Sequence, residues 1–188
     1  MSVDPYSHWH PDQSSGPALA QRLDRLARRL LPGGVTALMI VILAAPSGIP
    51  GATALLPGLV MSSVFFWSVW RPASMSAPVV FLIGLLMDLI GFAPLGVDAF
   101  VLLLLHGIAV HTRFGLMGLS FLAIWVVFSV LAAAACWLLW LLISVLSLNA
   151  MPTAPAVFET LLAVGIYPPM AAAGSWLHRR VWNPEPQA

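Results

Sequence analysis

From Phe114 to Leu148 the chain runs 35 residues without one formally charged side chain. Drawn as an α-helix that stretch is about 52 Å long, against about 30 Å for the hydrocarbon core of a bilayer. It contains no proline, and its two glycines, Gly115 and Gly118, lie at its start. The expectation is one long helix, tilted or with its first turns in the headgroup region. The rest of the chain has the same character, with 60% hydrophobic and 8% charged residues and a mean hydropathy of +0.94. A soluble domain carries about 25% charged residues. So little polar surface cannot cover a globule in water, and the solvent for this chain is lipid. The fold class expected is all-α, a polytopic transmembrane helical bundle.

Six spans are expected, over 35–49, 52–69, 75–91, 95–111, 114–148 and 156–177. The third and fourth, at 17 residues each, reach only about 25 Å, near the lower limit for crossing hydrocarbon. Pro57 falls inside the second, where a kink is tolerated if neighbours satisfy the freed carbonyl. Residues 1–16 are polar and lack an apolar period, the pattern of a disordered tail. In 17–31, Leu19, Leu23, Leu26 and Leu30 share one helical face while Arg22, Arg25 and Arg29 line another. That pattern suits an amphipathic helix on an anionic leaflet, with a solvated charged linker as the alternative. The domain reading is therefore a cytoplasmic tail at 1–33, a membrane domain at 34–178 and a short tail at 179–188.

The basic residues orient the bundle. All are arginines, at 22, 25, 28, 29, 71, 113, 179 and 180. Six spans with a cytosolic N-terminus put every one of them on the cytoplasmic side, and the opposite loops near 46–51, 92–98 and 148–155 hold none. This is the positive-inside pattern. It implies a multi-pass protein of the bacterial inner membrane with both termini in the cytoplasm. Spaced out by apolar runs, the arginines form no patch of the kind that binds nucleic acid. The arginines followed by an apolar stretch and Leu43-Ala44-Ala45 mimic a signal peptide, but the preceding region is too long and carries its own helix.

Few residues offer chemistry. Asp88, His106 and Glu159 are ionisable groups expected within apolar spans, which makes each a functional candidate. Gly84, Asp88 and Gly91 fall at i, i+4 and i+7, so they share a helical face that small residues would turn toward a neighbouring helix. Asp88 and His106 flank a turn near Gly96 at similar distances, so an intramembrane Asp88–His106 pair is expected, as a packing hydrogen bond or part of a proton path. Glu159 is expected in the first turn of the last span, where the helix dipole favours a carboxylate, and Asp98 at the start of the fourth. Cys136 stands alone in an apolar run and reads as a small buried hydrophobe. His8 and His10 lack a third metal ligand, and His106 and His111 lie on different helical faces. No nucleophile–base set, phosphate-binding loop, zinc-protease motif or dinucleotide fingerprint is present. Neither a catalytic site nor a cofactor or metal site is expected.

Ser68-Val69-Trp70-Arg71-Pro72, then Gly84-Leu85-Leu86-Met87-Asp88, then Pro94-Leu95-Gly96 follow one another within 68–96. An aromatic-Arg-Pro loop, a G-L-x-x-D helix and a P-L-G turn in this order resemble the rod shape-determining MreD family. The Tyr167-Pro168 step and the terminal arginine pair are also similar to it. The resemblance implies a non-catalytic subunit of the cell-elongation machinery that supports rod shape and lateral peptidoglycan synthesis. Its implied partners are an MreC-like bitopic protein and membrane lipids. Indirectly they extend to MreB filaments, a SEDS-type glycosyltransferase and a class B penicillin-binding transpeptidase. The motif positions are Arg71, Pro72, Gly84, Asp88, Gly91, Pro94 and Gly96. The family's fold is similar to the substrate-binding subunits of energy-coupling-factor transporters, so a vitamin-type transport subunit is the rival reading. A membrane enzyme of lipid metabolism is a third, without a motif to support it. A reporter fused after Arg180 is expected to be active in the cytosol; activity only in the periplasm overturns the even span count.

Overall fold

The computed structural model describes residues 18–45, 52–91, 94–148 and 152–182, with side chains from 30–45, 54–91, 94–148 and 152–177. The polar tail with His8 and His10, the arginine face of 17–31, and the side chains of Arg179 and Arg180 lie outside them. The described residues form six α-helices and no strand: α1 Ala18–Ala44, α2 Leu56–Trp70, α3 Ala77–Ile90, α4 Val97–Leu116, α5 Phe121–Leu146 and α6 Ala154–Trp182. A 3-10 segment, Ala52–Leu55, leads directly into α2.

The interior of this fold is apolar, as in a protein in water, but so is much of its surface. Thr36, Ser62, Ser63, Ser68, Asp88 and His106 are buried, whereas Leu82, Leu89, Phe100, Leu122, Val130 and Leu161 stand exposed. Helices α4, α5 and α6 are each long and apolar enough to cross a membrane, while the apolar part of α1, α2 and α3 are shorter. The chain is a membrane protein. Between lipid-solvated helices the hydrophobic effect supplies no attraction, so close packing and hydrogen bonds have to hold the bundle together.

Helix α2 is the hub. Every residue from Val60 to Val69 is buried, and α2 packs against α1, α4, α5 and α6. Small residues set the closest approaches. A methyl group at Gly58 would meet the backbone of Ala163 on α6 at 3.0 Å, and one at Gly174 would strike the Phe66 ring at 2.6 Å. Around Tyr167 of α6, Phe128 stacks at 4.2 Å between ring centroids, and Phe65 of α2 meets Tyr167 edge-on at 5.8 Å.

Prolines mark the helix starts. Pro57 and Pro78 occupy the first turns of α2 and α3, where a missing N–H costs nothing. Pro57 therefore produces no kink, contrary to its expected place inside a span, because the 3-10 segment precedes it. Pro168 is different: it sits inside α6 and leaves the carbonyl of Val164 without its helical donor. The Trp125 indole N–H from α5 donates to that oxygen at 3.0 Å. The bond restores what the ring removes.

Two further sequence expectations are corrected. The residues from Phe114 do not form one helix to Leu148. Helix α4 runs on to Leu116, a turn follows, and α5 begins after Ser120, whose hydroxyl accepts from the Ala123 N–H at 3.5 Å. The 26 residues of α5 make about 39 Å, a comfortable tilted span. The second correction concerns the N-terminus. The expected interfacial helix and first span are one continuous helix, α1, which carries Pro32 inside it and crosses the 33/34 boundary unbroken. Thr36 bonds back to the Pro32 carbonyl at 2.8 Å and meets the Ser63 hydroxyl at 2.6 Å, tying α1 to α2.

Replacing Trp125 with Phe keeps an aromatic ring but orphans the Val164 carbonyl. It is expected to lower stability in detergent by about 0.5–2 kcal/mol. In a Pro168→Ala background, where the substituted residue supplies the missing N–H, the same change should cost less. A double-mutant cycle on reversible unfolding in mixed micelles checks this.

Candidate functional site

The motif residues between Gly84 and Gly96 meet at the α3–α4 hairpin. Gly84 is the contact point: a Cβ there would overlap the backbone of Ala99, so only glycine permits this approach. One turn later Asp88, buried to 3% exposure, turns its carboxylate toward the start of α4. Oδ2 accepts from the Gly96 N–H at 2.9 Å and from Ala99 at 3.4 Å, and Oδ1 accepts from Asp98 at 2.9 Å. Gly96 itself sits at φ +97°, a left-handed conformation that favours glycine. The helix therefore has no cap from its own N-cap residue. The cap arrives from the preceding helix.

The need for this clasp follows from burial. Asp88 and Ala99 lie in the interior at the start of α4, where N–H groups left without partners would cost about 1–3 kcal/mol each. A single carboxylate next to a helix N-terminus satisfies three of them and complements the dipole.

Other motif residues have separate roles. Gly91 ends α3 with its N–H on the Met87 carbonyl at 2.8 Å and is exposed, so it does not share the packing face of Gly84 and Asp88. The Pro94 carbonyl accepts from Val97 at 3.3 Å, closing the turn into α4. Arg71 and Pro72 lie at the opposite end of the bundle. Arg71 closes α2 through its N–H on Trp67 at 2.7 Å, and its carbonyl accepts from Ser74 and Met75. The structure thus brings together Gly84, Asp88, Pro94 and Gly96, and leaves Arg71 and Pro72 apart.

The expected Asp88–His106 pair is not formed. The hairpin turns between Ile90 and Val97, so Asp88 lies two residues inside α3 while His106 lies nine inside α4. The two are offset by about 10 Å along the axis. His106 instead faces α2, where its Nδ1 meets the Ser68 hydroxyl at 2.7 Å. Ser68 also donates to the Val64 carbonyl at 2.5 Å. With that proton committed, neutral His106 donates from Nδ1 to Ser68, which selects its tautomer. Sequence spacing does not reveal Ser68 as the partner, because 38 residues separate the two.

Glu159 is the sixth residue of α6 and lies in its second turn, not its first. It lines a cavity of about 510 Å³ together with Asp98. Leu56 from the start of α2, Ile90 from the end of α3 and Ile143 from late α5 also line it. The starts of α2, α4 and α6 therefore converge with the ends of α3 and α5, as antiparallel neighbours require. Arg71 and Arg113, at the far ends of α2 and α4, lie at the other end. Cys136 also lines this cavity. Among the described residues, no three His, Cys, Asp or Glu side chains gather to hold a metal ion.

Comparison with protein-family models, curated proteins and solved structures finds no match for this chain.

The clasp predicts a graded response. Asp88→Ala removes the acceptor for three N–H groups and is expected to cost about 2–3 kcal/mol, while Asp88→Asn, which keeps one oxygen, costs less. Gly84→Leu should be worse than either, since backbone would have to move. Denaturant midpoints of the purified protein, ranked in that order, check the assignment.

Proposed function

We propose that this chain is a non-catalytic integral-membrane subunit of the bacterial cell-elongation complex, supporting rod shape and lateral peptidoglycan synthesis by binding an MreC-like bitopic protein. The observation that carries the reading is how the motif residues of the MreD resemblance are used. Gly84 and Asp88 pack and cap, and Pro94 and Gly96 shape the turn they cap. Residues spent wholly on building a hairpin suit a scaffold whose work is done by its outer surface. In this reading the chain crosses the inner membrane six times, with α1, α2 and α3 as the shorter spans. Both termini and all eight arginines then face the cytoplasm. MreB filaments, a SEDS-type glycosyltransferase and a class B transpeptidase are reached indirectly, through the MreC-like partner.

A second reading, a small-molecule transport subunit related in fold to those of energy-coupling-factor transporters, is favoured by the cavity at the arginine-free end. The two separate experimentally. Co-expressed with an MreC-like protein, the tagged chain is expected to retain it through detergent purification, and Gly84→Leu to lose it. Failure of capture, together with vitamin uptake when the chain is paired with a transport ATPase module, establishes the second reading instead.

A further inference from the structure

The cavity between the starts of α2, α4 and α6 has a composition that selects a ligand. At about 510 Å³ it is within the range of sites for small organic molecules, about 300–1,000 Å³. Its walls are mainly apolar, with Leu56, Met87, Leu139 and Ile143 facing inward and the Trp140 ring beside them. Two carboxylate residues, Asp98 and Glu159, each half-buried, line the same chamber. Neither makes a side-chain hydrogen bond or ion pair with a described residue. The described cations are far away: Arg113 lies 15 residues beyond Asp98 on the same helix, about 22 Å along its axis.

Two like charges facing one apolar chamber repel each other and are poorly solvated. A cation placed between them removes both penalties. A hydrated metal ion would meet the carboxylates but make no use of the apolar wall. A phospholipid headgroup would bring its phosphate into a lining that holds no cation. An organic ammonium with an apolar body meets every element: the charge is matched by the two carboxylates, and the aliphatic and aromatic wall accepts the remainder.

We propose that this cavity is a binding site for a net-cationic organic amine carried on an apolar body. The site does not depend on the cell-elongation reading. It requires no partner protein, so ligand binding and partner capture succeed or fail separately.

The test uses the full chain purified in a neutral detergent, titrated calorimetrically with benzyltriethylammonium. Arms with its uncharged carbon isostere and with phosphatidylethanolamine or phosphatidylcholine distinguish the source of the charge. Saturable binding of the ammonium alone is expected, weakened about tenfold by Asp98→Asn or by Glu159→Gln. Ile143→Trp keeps both charges but fills the chamber, and should also abolish binding while leaving the unfolding temperature near that of the unmodified protein. Equal binding of the uncharged isostere overturns the proposal, as does unchanged affinity in the Asp98→Asn, Glu159→Gln double variant. Preference for the zwitterionic lipids over the ammonium overturns it in favour of a lipid headgroup site.

Discussion

In a medium that offers no hydrogen bonds, each backbone amide that leaves a helix has to find a partner inside the protein, and this requirement organises the bundle. It is sharpest at the α3–α4 turn, where the first N–H groups of α4 lie beside the buried Asp88. Asp88 answers it by receiving three N–H groups at the start of α4. That arrangement dictates the rest of the hairpin. The carboxylate reaches those amides because Gly84 lets the two helices touch at Ala99, and the chain enters α4 correctly because Gly96 adopts a left-handed turn.

The same demand recurs at smaller scale. Pro168 breaks the hydrogen-bond ladder of α6, and Trp125 repairs it from α5. Thr36 and Ser63 close a contact between α1 and α2, and Ser68 and His106 close one between α2 and α4. These polar bridges run between neighbouring helices, and most of them converge on α2. Since apolar faces gain little by leaving lipid, such bridges and the tight glycine contacts carry the specificity of packing. The cavity breaks this economy. Its two carboxylate side chains make no hydrogen bond with a described residue, unlike the carboxylate of Asp88 and the ring of His106.

Much of the architecture is legible in the chain. Lipid as solvent, an all-helical fold and the breaks near Trp70, Gly91 and Leu148 follow from hydropathy and from proline and glycine. The 114–148 segment misleads because its length and lack of proline outweigh a weaker local signal. Gly115 and Gly118 weaken the helix, and Ser120 can begin a new one. The inward-facing position of Asp88 is legible too, yet its partner is not, because the pairing hinges on where the turn is centred. A shift of the hairpin apex by a few residues moves the matched depth along α4 by about two turns.

What the sequence alone determined is therefore the solvent, most of the secondary structure and the face on which Gly84 and Asp88 lie. Each depends on composition or on neighbours within one or two turns. Only the tertiary structure decided that Asp88 caps α4, that His106 meets Ser68, that Trp125 finds Val164, and that Asp98 and Glu159 share a chamber. The reason is physical. In lipid an apolar helix face is as well solvated by acyl chains as by another helix, so hydropathy carries no record of which helix lies against which. That record resides in shape and in a few polar groups whose partners lie tens of residues away.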